Sequence, residues 1–471
     1  MSKRLGVIVW PAHIIFEGVN SVLDKLQKAG VTDVATEAKV MAPAASAAEG
    51  RREPPDDGRC GGARTIDRPL WGKKELFIKV QPSYEFDPAF YKGRMYWPNH
   101  SGELTKEYGH VIAEFLSEAK RRGMGAYIQI QVCHVPSVDP NNSGAPEVDE
   151  STPLLPNGKP ASNRIYNFSS ISSEAVREYA CSQMRDIAAA YPMIDGFVLD
   201  RLEQSFYTLD DVFLDFGEAA RSKAEEYGYP FEKMKEKALE IYEGISRIPG
   251  SVLSAIKTPE DMSEFLNDLF VREPMVPQIL SFRTRLVESY CRKLRETAES
   301  IREGMQLIGT VYPPEMALFT GVDFSKISRY LDGIHLKMFT MHWSMIVQCW
   351  AEQLMQMNSD IREEDAVRFS SLLFGFEDRT QKTLKDYEYP APDQPHIAGN
   401  NALVRKVREA EREVQGKAAV YSFIHTYGPL SDVRRRLEIG WKNGEGGMWI
   451  NRYGYLSDEK IDILTDVVRN S

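Results

Sequence analysis

Carboxylates that end short apolar segments are the residues of this sequence best suited to chemistry. Asp200 closes the segment IDGFVLD, and Glu315 follows the next such segment behind two prolines. Two carboxylates on neighbouring strand ends can cleave a glycosidic bond, because one attacks the sugar or activates water while the other protonates the departing oxygen. We expect Asp200 to take the first role, since the adjacent Arg201 favours the ionised carboxylate. Glu315 is the expected proton donor, and Glu203 is the alternative acid.

Each of these carboxylates also has a structural interpretation without chemistry. Asp200 could form an ion pair with Arg201 or Lys337 at the rim of the strands. Glu315 could complement the dipole at a helix N-terminus, and Glu203 could be an exposed loop charge. The pairing of Asp200 with Glu315 predicts retention of anomeric configuration if the carboxyl groups lie about 5 Å apart, and inversion at about 6.5–9.5 Å. We favour retention.

Aromatic and polar residues near the predicted strand ends are candidates for binding a sugar. A flat ring can stack on a pyranose face, and polar side chains can bind its hydroxyl groups. The alternative for the aromatic residues is that they fill the ends of a barrel. The candidate substrate-binding residues are Trp10, Trp97, Asn99, His100, His134, Arg201, Tyr312, His335, Lys337, His425, Trp449, Asn451 and Arg452.

Lys337 supports a second reaction class. Schiff-base lyases and aldolases with parallel barrels carry a nucleophilic lysine on the sixth strand, which is where Lys337 falls. A third hypothesis is a barrel that binds carbohydrate without catalysis. We predict no metal and no cofactor, since metal-ligand motifs and glycine-rich phosphate loops are missing from the sequence.

Eight apolar segments, each followed by a helical pattern, predict a (β/α)8 TIM barrel, an α/β fold. Their apolar faces on both sides suit parallel strands covered by helices. An open, doubly wound sheet is the alternative. The segments are residues 5–11, 31–37, 125–135, 194–200, 305–312, 331–339, 418–425 and 446–454.

Long insertions are predicted in the loops of this barrel, and the largest, residues 201–303, is mainly helical after the fourth strand. We interpret residues 1–471 as a single barrel domain that carries this insertion. Its last helix, residues 281–304, is expected to pack over the barrel mouth or against a second copy in a homo-oligomer, because its apolar face needs burial. The residues of that face are Leu286, Tyr290 and Leu294. Residues 43–65, rich in Ala, Gly and Pro, are predicted to be a mobile loop.

The segment DGFVLD followed by an acid after the fifth strand resembles glycoside hydrolases of the α-amylase type, whose nucleophilic aspartate closes strand four. The residues 96–115 and the ending GGMWINRYG are similar to uncharacterised bacterial barrels of the glycoside-hydrolase-like kind. This resemblance implies a glycosidase acting on a carbohydrate, with Asp200 as nucleophile. The chain departs from the amylases at Val198, where they place an arginine.

Composition excludes several other classes of protein. The chain has 471 residues, 42% of them hydrophobic and 27% charged, which is ordinary globular composition. A net charge of −10 without a dense basic patch argues against nucleic-acid binding. No apolar stretch approaches the length of a membrane span. Five widely spaced cysteines suit a reducing compartment, so we expect a cytoplasmic protein without disulfide bonds.

Overall fold

The computed structural model describes residues 3–54, 65–136, 149–161, 165–376 and 381–470. Eleven β-strands occur in these residues. They are β1 (Arg4–Ile8), β2 (Asp33–Thr36), β3 (Lys39–Ala44), β4 (Arg51–Glu53), β5 (Leu76–Pro82), β6 (Gly125–Gln131), β7 (Gly196–Asp200), β8 (Gln306–Val311), β9 (Gly333–Met338), β10 (Ala419–His425) and β11 (Gly447–Asn451).

Sixteen α-helices occur in the same residues, mostly in the connections between the strands. They are α1 (Pro11–Glu17), α2 (Val19–Lys28), α3 (Glu103–Arg121), α4 (Glu174–Ala190), α5 (Glu218–Tyr227), α6 (Phe231–Gly244), α7 (Gly250–Ala255), α8 (Pro259–Arg272), α9 (Met275–Ile301), α10 (Met316–Thr320), α11 (Phe324–Ile327), α12 (Thr340–Met357), α13 (Glu363–Leu373), α14 (Asn400–Val414), α15 (Leu430–Asn443) and α16 (Asp458–Asn470).

Eight of the strands form a closed barrel, which confirms the predicted (β/α)8 fold. The order around the barrel is β1, β2, β6, β7, β8, β9, β10 and β11, and β11 pairs with β1 to close it. Every neighbouring pair is parallel. All eight predicted segments are barrel strands. Their carboxyl ends therefore meet at one face, which is where barrel enzymes place their active sites.

A three-stranded antiparallel sheet lies in the region that we predicted as a mobile loop. β5 is its central strand and pairs with β3 on one side and β4 on the other. Residues 43–44 and 51–53 of the predicted loop belong to strands, while residues 55–64 lie outside the described residues. These strands were not predicted, because their pairing depends on β5, a partner more than twenty residues away that the local composition does not reveal. The mobility of the loop stays a prediction.

The long helix α9 buries the apolar face that we predicted, but on a different surface. Leu286, Tyr290 and Leu294 are at most 1% exposed. The helix packs against α4 and β8, and the Tyr290 hydroxyl donates a hydrogen bond to the carbonyl of Val132. It lies on the barrel wall instead of over the mouth, because it connects β7 to β8 and covers the strands it joins.

The four described cysteines, Cys133, Cys181, Cys291 and Cys349, are buried, and no disulfide bond joins any two of them. Cys60 lies outside the described residues. Among the described helices, none combines the length and the apolar character needed to cross a membrane.

Candidate functional site

Two adjoining cavities open near the carboxyl ends of the barrel strands. The central pocket, of about 170 Å³, includes Asp200, Arg201 and Lys337 in its lining. The side cavity, of about 360 Å³, lies between β6 and the antiparallel sheet. Glu37, Gln129 and Gln131 line both cavities, so that the two are neighbouring parts of one site.

Asp200 is the last residue of β7 and lines the central pocket, as the strand-end argument predicts. Its Oδ1 lies 3.8 Å from the Nζ of Lys337, and its Oδ2 lies 4.0 Å from the Nε of Arg201. Both distances exceed that of a hydrogen bond. Within the described residues no donor binds this carboxylate, which leaves both oxygens available to a ligand.

Glu203 lies beneath the pocket and not in its lining. The backbone N–H of Tyr312 donates to its two oxygens at 2.9 and 3.1 Å, and the Nζ of Lys337 donates to Oε1 at 3.0 Å. Burial raises the pKa of Glu203, while the charge of Lys337 and the N–H of Tyr312 oppose that rise. Glu203 is therefore neither the exposed loop charge nor the pocket acid that the sequence suggested. It anchors Lys337.

Lys337 lines the central pocket with a side chain that is only 5% exposed. Its ammonium group lies 4.4 Å from the centre of the Tyr312 ring and is hydrogen-bonded to Glu203. A Schiff-base lysine has to present a free amine to a carbonyl carbon. The contact with Glu203 argues against that role and favours electrostatic binding of the substrate.

Glu315 is absent from the lining of both cavities, so the structure does not support the predicted pairing with Asp200. Arg405 and Lys406 of α14 bind its carboxylate, and Lys406 also donates to the carbonyl of Phe374 at 2.8 Å. The backbone of Glu315 has φ of +65°. This left-handed turn directs the side chain to α14, which a strand-end pattern cannot predict.

Glu37 is the pocket carboxylate that the sequence analysis missed. It directly follows β2, it is 5% exposed, and its Oε2 lies 2.8 Å from the Nζ of Lys39. Burial raises its pKa, but the charges of Lys39 and Arg51 outweigh this and hold the pKa below its ordinary value. The same strand-end criterion that selected Asp200 would have found Glu37.

Several predicted binding residues do line the cavities. Trp10 makes a cation–π contact with Arg452, whose guanidinium group lies 3.5 Å from the centre of the Trp10 ring. Arg452 also forms an ion pair with Glu53. The Nδ1 of His425 accepts the N–H of Tyr427 at 3.1 Å, which puts the ring proton on Nε2. The predicted residues in the central pocket are Trp10, Asp200, Arg201, Lys337, His425, Asn451 and Arg452, and those in the side cavity are Asn99 and His134.

Other predicted binding residues lie elsewhere. His335 and Trp449 are buried in the barrel interior with ring centres 4.6 Å apart, and burial lowers the pKa of His335 to about 3. Tyr312 is buried below Lys337. Trp97 is 43% exposed, and His100 packs on Phe86. Strand residues that point into the barrel below its carboxyl-terminal ends fill the core. Lying near the end of a strand is therefore not enough to place a residue in the substrate site.

The structure adds pocket residues that no motif predicted. Gln129 and Gln131 alternate along β6 and thus share its inner face. Tyr166 donates a hydrogen bond to Oε1 of Gln131 at 3.1 Å. Further residues of the central pocket are Tyr207, Phe339, His342 and Tyr455. In the described ranges, no group of three or more His, Cys, Asp and Glu side chains converges as a metal site requires.

Solved structures with a similar fold include two glycoside hydrolases. The glycoside hydrolase domain of PgaB (BpsB) from Bordetella bronchiseptica has a TM-score of 0.51 at 11% identity, over 99% of both chains. The β-galactosidase from the psychrophilic Marinomonas ef1 has a TM-score of 0.51 at 10% identity, over 99% of this chain and 59% of that one. This chain shares the barrel fold of these two proteins. No protein-family model and no curated protein match it.

Proposed function

We propose that the protein hydrolyses a glycosidic bond, with Asp200 and Glu37 as the two catalytic carboxylates. The observation that carries this proposal is that both side chains line the central pocket at the catalytic face of the barrel. Asp200 ends β7, Glu37 follows β2, and β6 lies between these strands. Two carboxylates in the lining of one pocket are the minimal equipment of a glycosidase.

The strand order favours inversion over the retention expected from the sequence. Adjacent strands lie about 4.8 Å apart, so the ends of β2 and β7 lie about 9–10 Å apart. Side chains that reach inward shorten this toward the range of about 6.5–9.5 Å that leaves room for a water molecule. Retention would need carboxylates about 5 Å apart, which neighbouring strands supply more readily.

The contacts of the two carboxylates favour different roles. Glu37 is bound by Lys39 and has a lowered pKa, so it is ionised and can accept a proton from water. Asp200 is assigned the protonation of the leaving oxygen by elimination, since Glu37 takes the role of the base. Of the two cations near Asp200, Lys337 is hydrogen-bonded to Glu203, and neither Lys337 nor Arg201 donates a hydrogen bond to Asp200. This assignment reverses the role that the sequence resemblance implies for Asp200.

Substrate binding is assigned to the polar groups between the carboxylates. Gln129 and Gln131 line the pocket from β6, and His425, whose ring proton is on Nε2, lines the same pocket. Tyr207, Phe339 and Tyr455 supply ring surface at the wall. A small set of hydrogen-bonding groups among aromatic rings is typical of sugar sites.

The test compares variants on a panel of α- and β-linked nitrophenyl glycosides of glucose, galactose, glucuronic acid and galacturonic acid, and on the matching oligosaccharides. Glu37→Gln should lower kcat/KM by about 10³-fold on every substrate that the parent cleaves. Asp200→Asn should lower it as much on oligosaccharides but less on nitrophenyl glycosides, whose leaving group needs no proton. Activity of both variants within about tenfold of the parent would contradict the proposal.

Glu315→Gln serves as the comparison for the revised pair. Its carboxylate is held by Arg405 and Lys406 outside the pocket, so the variant should keep its activity per folded molecule. A loss comparable to that of Asp200→Asn would restore the pairing predicted from the sequence.

A further inference from the structure

Two partly exposed arginines at the boundary of the cavities have buried N–H groups that find no hydrogen-bond acceptor among the described residues. Arg201 stacks on the ring of Tyr166 at 3.7 Å, and its buried Nε makes no hydrogen bond within the described part of the chain. Arg51 lies over Trp10 at 5.0 Å, and its buried Nε and Nη2 are likewise without acceptors among the described residues. Both guanidinium groups thus lie over aromatic rings, while these three buried nitrogens have no acceptor among the described residues.

The two guanidinium groups converge on the same neighbours. Arg51 lines the side cavity and Arg201 the central pocket, and Glu37 and Gln131 line both. Burial, followed by the charges of Lys39, Arg201 and Arg51, lowers the pKa of His134 to about 3. His134 is therefore neutral at pH 7 and adds no positive charge to the cluster.

The ionic groups of the two cavities leave at least one positive charge in excess, and two when Asp200 carries its proton. Five cations line the two cavities. Two of these charges are neutralised by buried carboxylates, because Lys337 is hydrogen-bonded to Glu203 and Arg452 is ion-paired with Glu53. The remaining cations are Lys39, Arg51 and Arg201, and the lining carboxylates are Glu37 and Asp200. In a chain of net charge −10, this local excess is opposite in sign to the whole molecule.

A buried N–H group without an acceptor is costly, because it loses its contact with water and gains no hydrogen bond in return. A guanidinium group has a planar pair of N–H donors. Its planar fork matches the oxygens of a carboxylate, sulfate or phosphate. We propose that Arg51 and Arg201 bind an oxyanion group of the substrate, so that the protein acts on an acidic saccharide. The saccharide part of this inference rests on the proposed function, whereas the anion site rests on the arginines.

The experiment measures binding by ligand-observed NMR, without catalysis, in the Asp200→Asn background. The probes are D-glucuronate and D-galacturonate, with D-glucose and D-galactose as neutral counterparts, and glucose 6-sulfate and glucose 6-phosphate as the other oxyanions. We expect at least one acidic probe to bind at least tenfold more tightly than its neutral counterpart. Added salt should weaken the binding of that acidic probe. The uronate and ester arms identify which oxyanion the site takes.

The variants are Arg51→Gln and Arg201→Gln, with Arg52→Gln as the matched control. Arg52 is the next residue on β4 and is hydrogen-bonded to Glu75 at 2.6 Å. Arg51→Gln and Arg201→Gln should each weaken the binding of the acidic probe at least tenfold and leave the binding of neutral sugars unchanged. Arg52→Gln should change neither affinity. Arg51→Lys and Arg201→Lys keep the charge without the fork, and they should lose most of the preference while preserving the fold.

Equal binding of every acidic and neutral pair, or equal affinities in the parent, the arginine variants and the control, would overturn the inference. Failure of the proposed function gives a different result, namely selective acidic binding that depends on both arginines without hydrolysis by the parent protein. Hydrolysis of neutral and acidic glycosides with equal kcat/KM would agree with the proposed glycosidase function. It would contradict the inference that the arginines select an acidic saccharide.

Discussion

At the scale of single residues, the pocket depends on a buried ion pair under its floor. The side chains of Lys337 and Glu203 are 5% and 1% exposed, and their contact is 3.0 Å long. The pair positions the ammonium group 3.8 Å from Asp200. Loss of one partner from a buried pair leaves an uncompensated charge, whereas loss of both removes the charge and its cost together.

Glu203→Gln should therefore lower the free energy of unfolding by about 3–5 kcal/mol. Lys337→Met in the same chain should recover much of that loss, because it removes the stranded ammonium group. Urea unfolding of the single and double variants measures both effects. A double variant that is less stable than Glu203→Gln would contradict this account of the pair.

The lowered pKa of Glu37 predicts how its contribution to stability depends on pH. The unfolded carboxyl titrates near its ordinary value of 4.5, and the folded carboxyl titrates below it. The interactions of ionised Glu37 with Lys39 and Arg51 thus stabilise the fold fully above pH 4.5 and are lost as the pH falls through the folded pKa. The difference in unfolding free energy between the parent and Glu37→Gln should be constant above about pH 5.5 and shrink below 4.5. A difference that grows in acid would contradict the assignment.

At the scale of elements, the antiparallel sheet of β3, β5 and β4 forms one wall of the site. β4 carries Arg51 and Glu53, so its pairing with β5 places Arg51 in the lining of the side cavity and Glu53 against Arg452 of the central pocket. Gly50 precedes β4, and a Cβ there would collide with the carbonyl of Ile78 on β5. The small sheet is thus the element on which recognition of the acidic group depends.

Gly50→Ala should separate β4 from β5 and displace Arg51 while leaving the barrel intact. We expect KM for an acidic substrate to rise about tenfold or more, with a smaller change in kcat, since the lost contacts bind substrate and transition state alike. Gly244→Ala is the matched control, because a Cβ at Gly244 meets no atom within 4 Å. Steady-state kinetics measure the effect, and equal KM values for the two variants would contradict it.

The elements also show what could be predicted from the sequence. The eight barrel strands were predictable because parallel strands covered by helices are apolar on both faces. The pairing of β3 and β4 with β5 was not, since it is set by contacts distant in the chain. Glu315 shows the same limit, because its partners Arg405 and Lys406 come from a helix about ninety residues later. Asp200 was predictable from its strand end, and Glu37 was equally accessible but was not selected.

At the scale of the whole molecule, burial in the barrel interior keeps the imidazole ring of His335 neutral. His335 is fully buried between the rings of Phe423 and Trp449, each with its centre 4.6 Å away. Burial lowers its pKa from 6.5 to about 3. The unfolded chain therefore binds a proton at this position between about pH 6.5 and 3 that the folded chain does not, and stability falls as the pH falls through that window.

His335→Phe should reduce this acid sensitivity, because the substituted ring fits the same aromatic contacts and cannot bind a proton. Between about pH 5.5 and 4, the slope of unfolding free energy against pH should decrease by about 1.4 kcal/mol per pH unit. Chemical denaturation at several pH values gives the slope. Equal slopes for the parent and the variant would show that His335 is protonated in the folded barrel.

The central claim is that Asp200 and Glu37 cleave one glycosidic bond from opposite sides. A time course of hydrolysis followed by proton NMR tests it most directly, because the spectrum reports both cleavage and the first anomer formed. With an acidic aryl glycoside, we predict that the parent releases the inverted anomer first. Glu37→Gln should hydrolyse the same glycoside at least about 10³-fold more slowly. Initial release of the retained anomer, or cleavage by Glu37→Gln at the parental rate, would contradict the account.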